Sequence, residues 1–84
     1  MRQTKHFGWI PMKSSNIACI AYDRWKRQLY VQFHTGQIYT YYNVPSDDVE
    51  GLMTADSVGQ YFAKFIKDSY DYVKLSKEVS RNVT

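Results

Sequence analysis

The residue types that most often carry catalysis are few and poorly placed in this chain. His6 and His34 are separated by most of two predicted strands and have no cysteine nearby, so no spacing typical of a metal site links them. Asp47, Asp48 and Glu50 form a carboxylate cluster, but they stand at the head of a helical pattern. There, acidic side chains favour the positive end of the helix and stay solvated. Ser14 and Ser15 have no partnered base in a recognisable motif, and Gly59 stands alone where a phosphate-cradling loop needs several glycines. Cys19 is the single cysteine, which excludes an intrachain disulfide and a cysteine-based zinc site. Its neighbours in IACIA predict a small buried side chain rather than a reactive thiol. The expectation is a binding protein without catalytic residues, metal or cofactor.

Binding chemistry is better represented. The stretch QIYTYYNVP holds Tyr39, Tyr41 and Tyr42 between a glycine and a proline, and tyrosine supplies eight of the fourteen aromatic rings of the chain. In a strand Tyr39 and Tyr41 share a face and Tyr42 points the other way. With Tyr22, Trp25 and Tyr30 there are more rings than three short strands need for packing. Aromatics carried on a sheet can stack on nucleobases, each stack contributing on the order of 1–3 kcal/mol. Arg24, Lys26 and Arg27 in a loop, with Lys64 and Lys67 on a helix, are placed to meet phosphates, and Ser15 and Asn16 to supply polar contacts. The candidate ligand-binding set is therefore Tyr39, Tyr41, Arg24, Trp25, Arg27, Ser15, Asn16, Lys64 and Lys67.

These residues need a scaffold to hold them. Residues 16–22, NIACIAY, read as a buried strand. Residues 23–27 form a polar turn, and residues 28–34 alternate, with Leu29, Val31 and Phe33 on one face and Tyr30, Gln32 and His34 on the other. Thr35-Gly36 signals a hairpin, and residues 38–44 supply the next strand, stopped by Pro45. Ser46 is placed to cap a short helix that carries Val49, Leu52 and Met53. Asp56 or Ser57 is placed to cap a second one, whose apolar stripe is Val58, Tyr61, Phe62, Phe65 and Ile66. The expected fold class is α+β: a three-stranded antiparallel β-meander followed by two helices packed on one face. The turn length decides which tyrosines face the helices. A two-residue turn pairs Phe33 with Ile38 and leaves Tyr39 and Tyr41 on the open face. A three-residue turn that pairs Phe33 with Tyr39 sends them inward. Residues 1–12 read as an arm or an extra strand, and the alternation around Tyr70 and Tyr72 allows a further short strand.

The 84 residues make one domain, with a core small enough that a second chain is expected to complete it. Net charge is +3. Residues 1–27 carry six bases against Asp23, whereas residues 45–58 carry four acids and no base. That asymmetry suits an anionic ligand, and its small size favours a doubly charged small molecule over a long polyanion. Neither a secretory leader nor a membrane span is legible, so a cytoplasmic protein with no membrane partner is expected.

Four stretches, SSNIACIAYD (14–23), LYVQF (29–33), IYTYYNVP (38–45) and ADSVGQYFAKFIK (55–67), together resemble the KTSC domain. That short module is named for its place at the C-terminus of some lysyl-tRNA synthetases and also occurs as free-standing proteins. The Ser-Ser-Asn start, the Tyr39-x-Tyr41 pair, Val44-Pro45 and Ser57-x-Gly59 before Tyr61-Phe62 carry the likeness. It covers residues 13–72, between an arm at 1–12 and a tail at 73–84 that is a helical end or an oligomer contact. The resemblance implies RNA binding. The expected function is sequestration or binding of a nucleotide-bearing ligand, either RNA or a small or cyclic nucleotide signal, by a homo-oligomer. Compact phage-encoded inhibitors offer an analogy for the sequestering role. The alternative is a protein–protein interaction module that uses exposed tyrosines.

Overall fold

The computed structural model describes residues 8–75. His6, the first part of the expected arm and the last nine residues of the expected tail lie outside the described residues. Five strands form a single antiparallel sheet in sequence order: β1 (Ile10–Pro11), β2 (Ile17–Asp23), β3 (Gln28–Phe33), β4 (Ile38–Tyr41) and β5 (Tyr72–Leu75). Two short helices, α1 (Ser46–Thr54) and α2 (Val58–Tyr61), follow β4, and α2 runs on into a π-helical turn over Phe62–Ile66. The class is α+β, but the expected three-stranded meander is incomplete. β1 adds to its outer edge through Ile10 opposite Ile20, and β5 adds to the other through Tyr72 opposite Tyr41. Both added strands lack a buried face, every residue in them being exposed. They therefore carry little of the hydrophobic alternation that marks a strand in a sequence.

The central strands follow from their alternation. Leu29 and Val31 of β3 and Ile17 and Ile20 of β2 are fully buried, and they meet Val44, Val49, Leu52, Val58, Phe62 and Ile66 beneath the helices. Each such side chain contributes about 1.5–3 kcal/mol by leaving water. A bulge between Ile17 and Cys19 in β2 shifts the register. Cys19 pairs with Gln32 on the face away from the helices. Its thiol is half-buried there and donates to the Gln32 side chain at 3.3 Å, a correction to the buried position its neighbours suggested. Burial also pushes the thiol pKa up, which disfavours the thiolate.

The hairpin between β3 and β4 settles the tyrosines. His34, Thr35 and Gly36 form a three-residue turn closed by Phe33 N–H donating to the Gln37 carbonyl at 2.9 Å, with Gly36 at φ +96. Phe33 thus faces Gln37, one of neither expected pairings, but the parity is that of the inward register. Tyr39 lies opposite Val31 and Tyr41 opposite Leu29, so both tyrosines point toward the helices. β4 ends at Tyr41 and not at residue 44, because Asn43 takes a left-handed φ of 60.

Two details of the helices also differ from expectation. Pro45, and not Ser46, occupies the N-cap of α1, and no side chain caps it. Ser57 does cap α2, its hydroxyl accepting from Gln60 N–H at 3.3 Å. In the π turn Lys67 N–H reaches back five residues to the Phe62 carbonyl at 2.8 Å. The wider turn spaces the buried residues as Val58, Phe62 and Ile66 and rotates Phe65 out to 46% exposure.

Candidate functional site

The polar start of the domain is tied to the β3–β4 hairpin. Ser14 Oγ accepts from the backbone N–H groups of Asn16 and Ile17 at 3.1 and 3.2 Å, a local turn of the kind serine favours. The Ser14 carbonyl accepts from His34 Nε2–H at 2.8 Å, and the Asn16 carbonyl accepts from His34 N–H at 2.9 Å. These bonds hold Ser15 and Asn16 at the mouth of a cleft of about 470 Å³ between the sheet, α2 and the π turn. That volume suits one small organic ligand. Phe33, Tyr39, Tyr41, Phe62 and Tyr72 supply its rings, and Lys67 and Asp68 its charges. The wide winding over Phe62–Ile66 brings Ala63, Lys67 and Asp68 to the same side as Gly59. A Cβ on Gly59 would make only ordinary contact with Ser14 and Asn16, at 3.6 and 3.8 Å. That glycine is not required for space.

The tyrosines form a packed trio. Tyr39 and Tyr41 stack with centroids 6.4 Å apart, and Tyr72 of the neighbouring strand lies 5.6 Å from Tyr39 and 5.5 Å from Tyr41. Phe33 meets Tyr39 edge-on at 5.4 Å, and Phe62 meets Tyr41 edge-on at 5.5 Å. No base fits between rings this close. Tyr41 is only 3% exposed, so its ring belongs to the core, whereas Tyr72 is 54% exposed. The face open for stacking is on Tyr72, a residue the sequence reasoning did not select. The Tyr41 hydroxyl is pushed up to about 12, chiefly by burial and then by Tyr39, Tyr72 and Asp68 beside it, so it stays protonated near neutral pH.

The nine expected ligand residues divide by position. Ser15, Asn16, Tyr39, Tyr41 and Lys67 come together in the cleft. Arg24, Trp25 and Arg27 sit in the β2–β3 turn, at the other end of β3, about 20 Å away at 3.3 Å per residue. Asp23 Oδ1 holds that turn by accepting from Trp25 and Lys26 N–H groups at 3.1 and 3.2 Å, and Trp25 is 90% exposed at its tip. Arg24 and Arg27 line a separate hollow of about 650 Å³ shared with Asp47 and Glu50. Cations and carboxylates are mixed there, which makes it a poorer anion site. Lys64 points elsewhere, its ammonium 5.7 Å from the Phe65 ring.

Sequence reasoning missed Phe33, His34, Gln37 and Tyr72 as cleft residues. His34 was visible only as a lone histidine, and Tyr72 becomes a neighbour only through the β4–β5 pairing. It also read Asp48 as a solvated helix-start carboxylate. Asp48 in fact accepts from Tyr61 at 3.5 Å and from Tyr70, linking α1 to α2 and to the approach of β5.

A model of the KTSC domain matches residues 13–70. A lysine–tRNA ligase of Nostoc sp. is 37% identical over 76 residues, which cover 90% of this chain and 14% of that protein. The chain thus spans a small part of the ligases it resembles. An uncharacterized protein of Stutzerimonas stutzeri is 33% identical over 61 residues, 73% of this chain and 86% of that one. The crystal structure of a KTSC domain protein from Yersinia pestis superposes with a TM-score of 0.79 at 33% identity, covering 84% of this chain and all of that one.

Proposed function

Since the chain belongs to the KTSC domain family, we propose that it binds a nucleotide-bearing ligand in the cleft beneath the β3–β4 hairpin and carries out no chemistry on it. One observation carries this reading: the exposed face of Tyr72, Lys67, which has no ion pair among the described residues, and the polar residues Ser15 and Asn16 all line one cleft of single-nucleotide size. The base stacks on Tyr72, and Lys67 meets the phosphate. Asp48, one of the three carboxylates clustered at the head of α1, is already engaged by two tyrosines, which favours a structural role. The ligand is a free or cyclic nucleotide, or one unit of RNA; the likeness to lysine–tRNA ligases supports the second source. A cytoplasmic homo-oligomer completes the proposal. The β5 edge, with Val73 and Leu75 exposed, is the surface a second copy would use.

Native mass spectrometry of freshly purified protein, with absorbance at 260 nm, tests for a retained nucleotide. Titration with single-stranded RNA and with mononucleotides at two salt concentrations separates the sources. A polymer gives a steep salt dependence of about 0.7 per phosphate contacted, and a mononucleotide a shallow one. Absence of any nucleotide binding overturns the reading. The alternative, a protein-interaction module, is favoured by Trp25, exposed between Arg24 and Lys26 on a turn held by Asp23. Loss of a captured protein partner on Trp25→Ala, with no nucleotide bound, would establish it.

A further inference from the structure

The hydroxyl groups of the tyrosines sort them more sharply than their rings do. Tyr22 donates to the Val44 carbonyl at 2.6 Å, Tyr30 to the Gln28 side chain at 3.0 Å, and Tyr61 and Tyr70 to Asp48. Four hydroxyls have no hydrogen-bond partner among the described residues, those of Tyr42, which lies outside the cleft, and of Tyr39, Tyr41 and Tyr72, the three that line it. Tyr41 is the most informative of the three. Its ring is buried and only 3% of the residue is exposed, yet no buried side-chain oxygen of the described residues is left unsatisfied. The little surface Tyr41 keeps therefore includes its hydroxyl, which opens on the cleft. Lys67 stands in the same cleft without an ion pair among the described residues.

We propose that the Tyr39, Tyr41 and Tyr72 hydroxyls, with the Lys67 ammonium, form a seat for a single phosphate monoester. The inference rests on the nucleotide reading above and assigns its anionic end. Each of the three phenols can donate its O–H to a phosphate oxygen, and Lys67 supplies the charge. Donors to an ionised oxygen make the stronger class of hydrogen bond. Asp68, the one carboxylate among the described residues lining the cleft, balances Lys67 and opposes further negative charge. The seat thus takes one phosphate and discriminates against di- and triphosphates. Tyr41 contributes through its hydroxyl alone, since its ring faces are already covered.

Binding of the four ribonucleoside 5′-monophosphates, their nucleosides and inorganic phosphate to the full chain tests this, in wild type and in the Tyr41→Phe, Tyr72→Phe and Lys67→Met variants. Phenylalanine keeps each ring, and a thermal melt of each variant verifies the fold. The expected result is a monophosphate bound at least about tenfold tighter than its nucleoside, with each hydroxyl deletion removing about tenfold of monophosphate affinity and none of nucleoside affinity. Equal affinities for nucleosides and monophosphates, unchanged in the folded phenylalanine variants, overturn the seat and leave the nucleotide reading intact. Inorganic phosphate that binds and is lost in the same variants, with nucleosides bound nowhere, supports the seat and overturns the nucleotide reading. No binding of any probe overturns both.

Discussion

Tyr41 shows why counting aromatic residues is a poor guide to their use. Its ring fills the core against Phe62 and Tyr39, while its hydroxyl opens on the cleft. That geometry has a consequence for alkaline stability. Burial and three neighbours raise the Tyr41 hydroxyl from 10.0 to about 12, and the bond to Asp48 raises that of Tyr70 to about 12. A group whose pKa is higher in the folded than in the unfolded state favours the folded state as long as it stays protonated. This stabilisation is complete below about pH 10 and is lost as pH climbs to about 12. The urea midpoint of the wild type should fall across that window. The Tyr41→Phe variant, with one fewer titrating phenol and the same ring volume, should fall less. Parallel curves for the two proteins would mean that Tyr41 ionises as freely as an exposed phenol.

Helix α1 depends on a contact that helix propensity alone opposes. Gly51 lies in its middle, where glycine ordinarily costs about 1 kcal/mol relative to alanine. A Cβ at that position would run into the Tyr61 ring and hydroxyl. Gly51→Ala should therefore fail to stabilise the wild type. In a Tyr61→Ala background it should gain about 1 kcal/mol, as a double-mutant cycle in urea would show. Equal gains in both backgrounds would mean that Tyr61 does not need the space.

The central strands were legible because β2 and β3 each bury one face, and the cap of α2 was legible as one of two adjacent candidates, Asp56 or Ser57. The bounds and pairing of β1 and β5 were not, although residues 1–12 allowed an extra strand and the alternation around Tyr70 and Tyr72 a short one, since strands whose residues are all exposed leave little apolar period to read. Nor was the π turn, whose residues carry the same apolar stripe that an α-helix would show. About a third of the residues lining the cleft were therefore visible in advance. Ser15, Asn16, Tyr39, Tyr41 and Lys67 were chosen by type, but Tyr72 enters only through pairing with β4, and the inward register hid behind an ambiguous turn.

In the molecule as a whole, the sheet separates two surfaces that the sequence reading had merged. The cleft lies at the Gly36 end of β3 and the Arg24–Trp25–Arg27 turn at the Gln28 end, so one small ligand does not touch both. The turn is then free for another role, or for a second contact along a polymer. Amide chemical-shift mapping of the full chain with ribonucleoside 5′-monophosphates discriminates between the two surfaces. Perturbations should gather at Asn16, Gly59, Lys67 and Tyr72 and leave the Trp25 indole N–H unmoved. Perturbation confined to the Trp25 turn, or none at saturating ligand, would contradict a nucleotide site in the cleft.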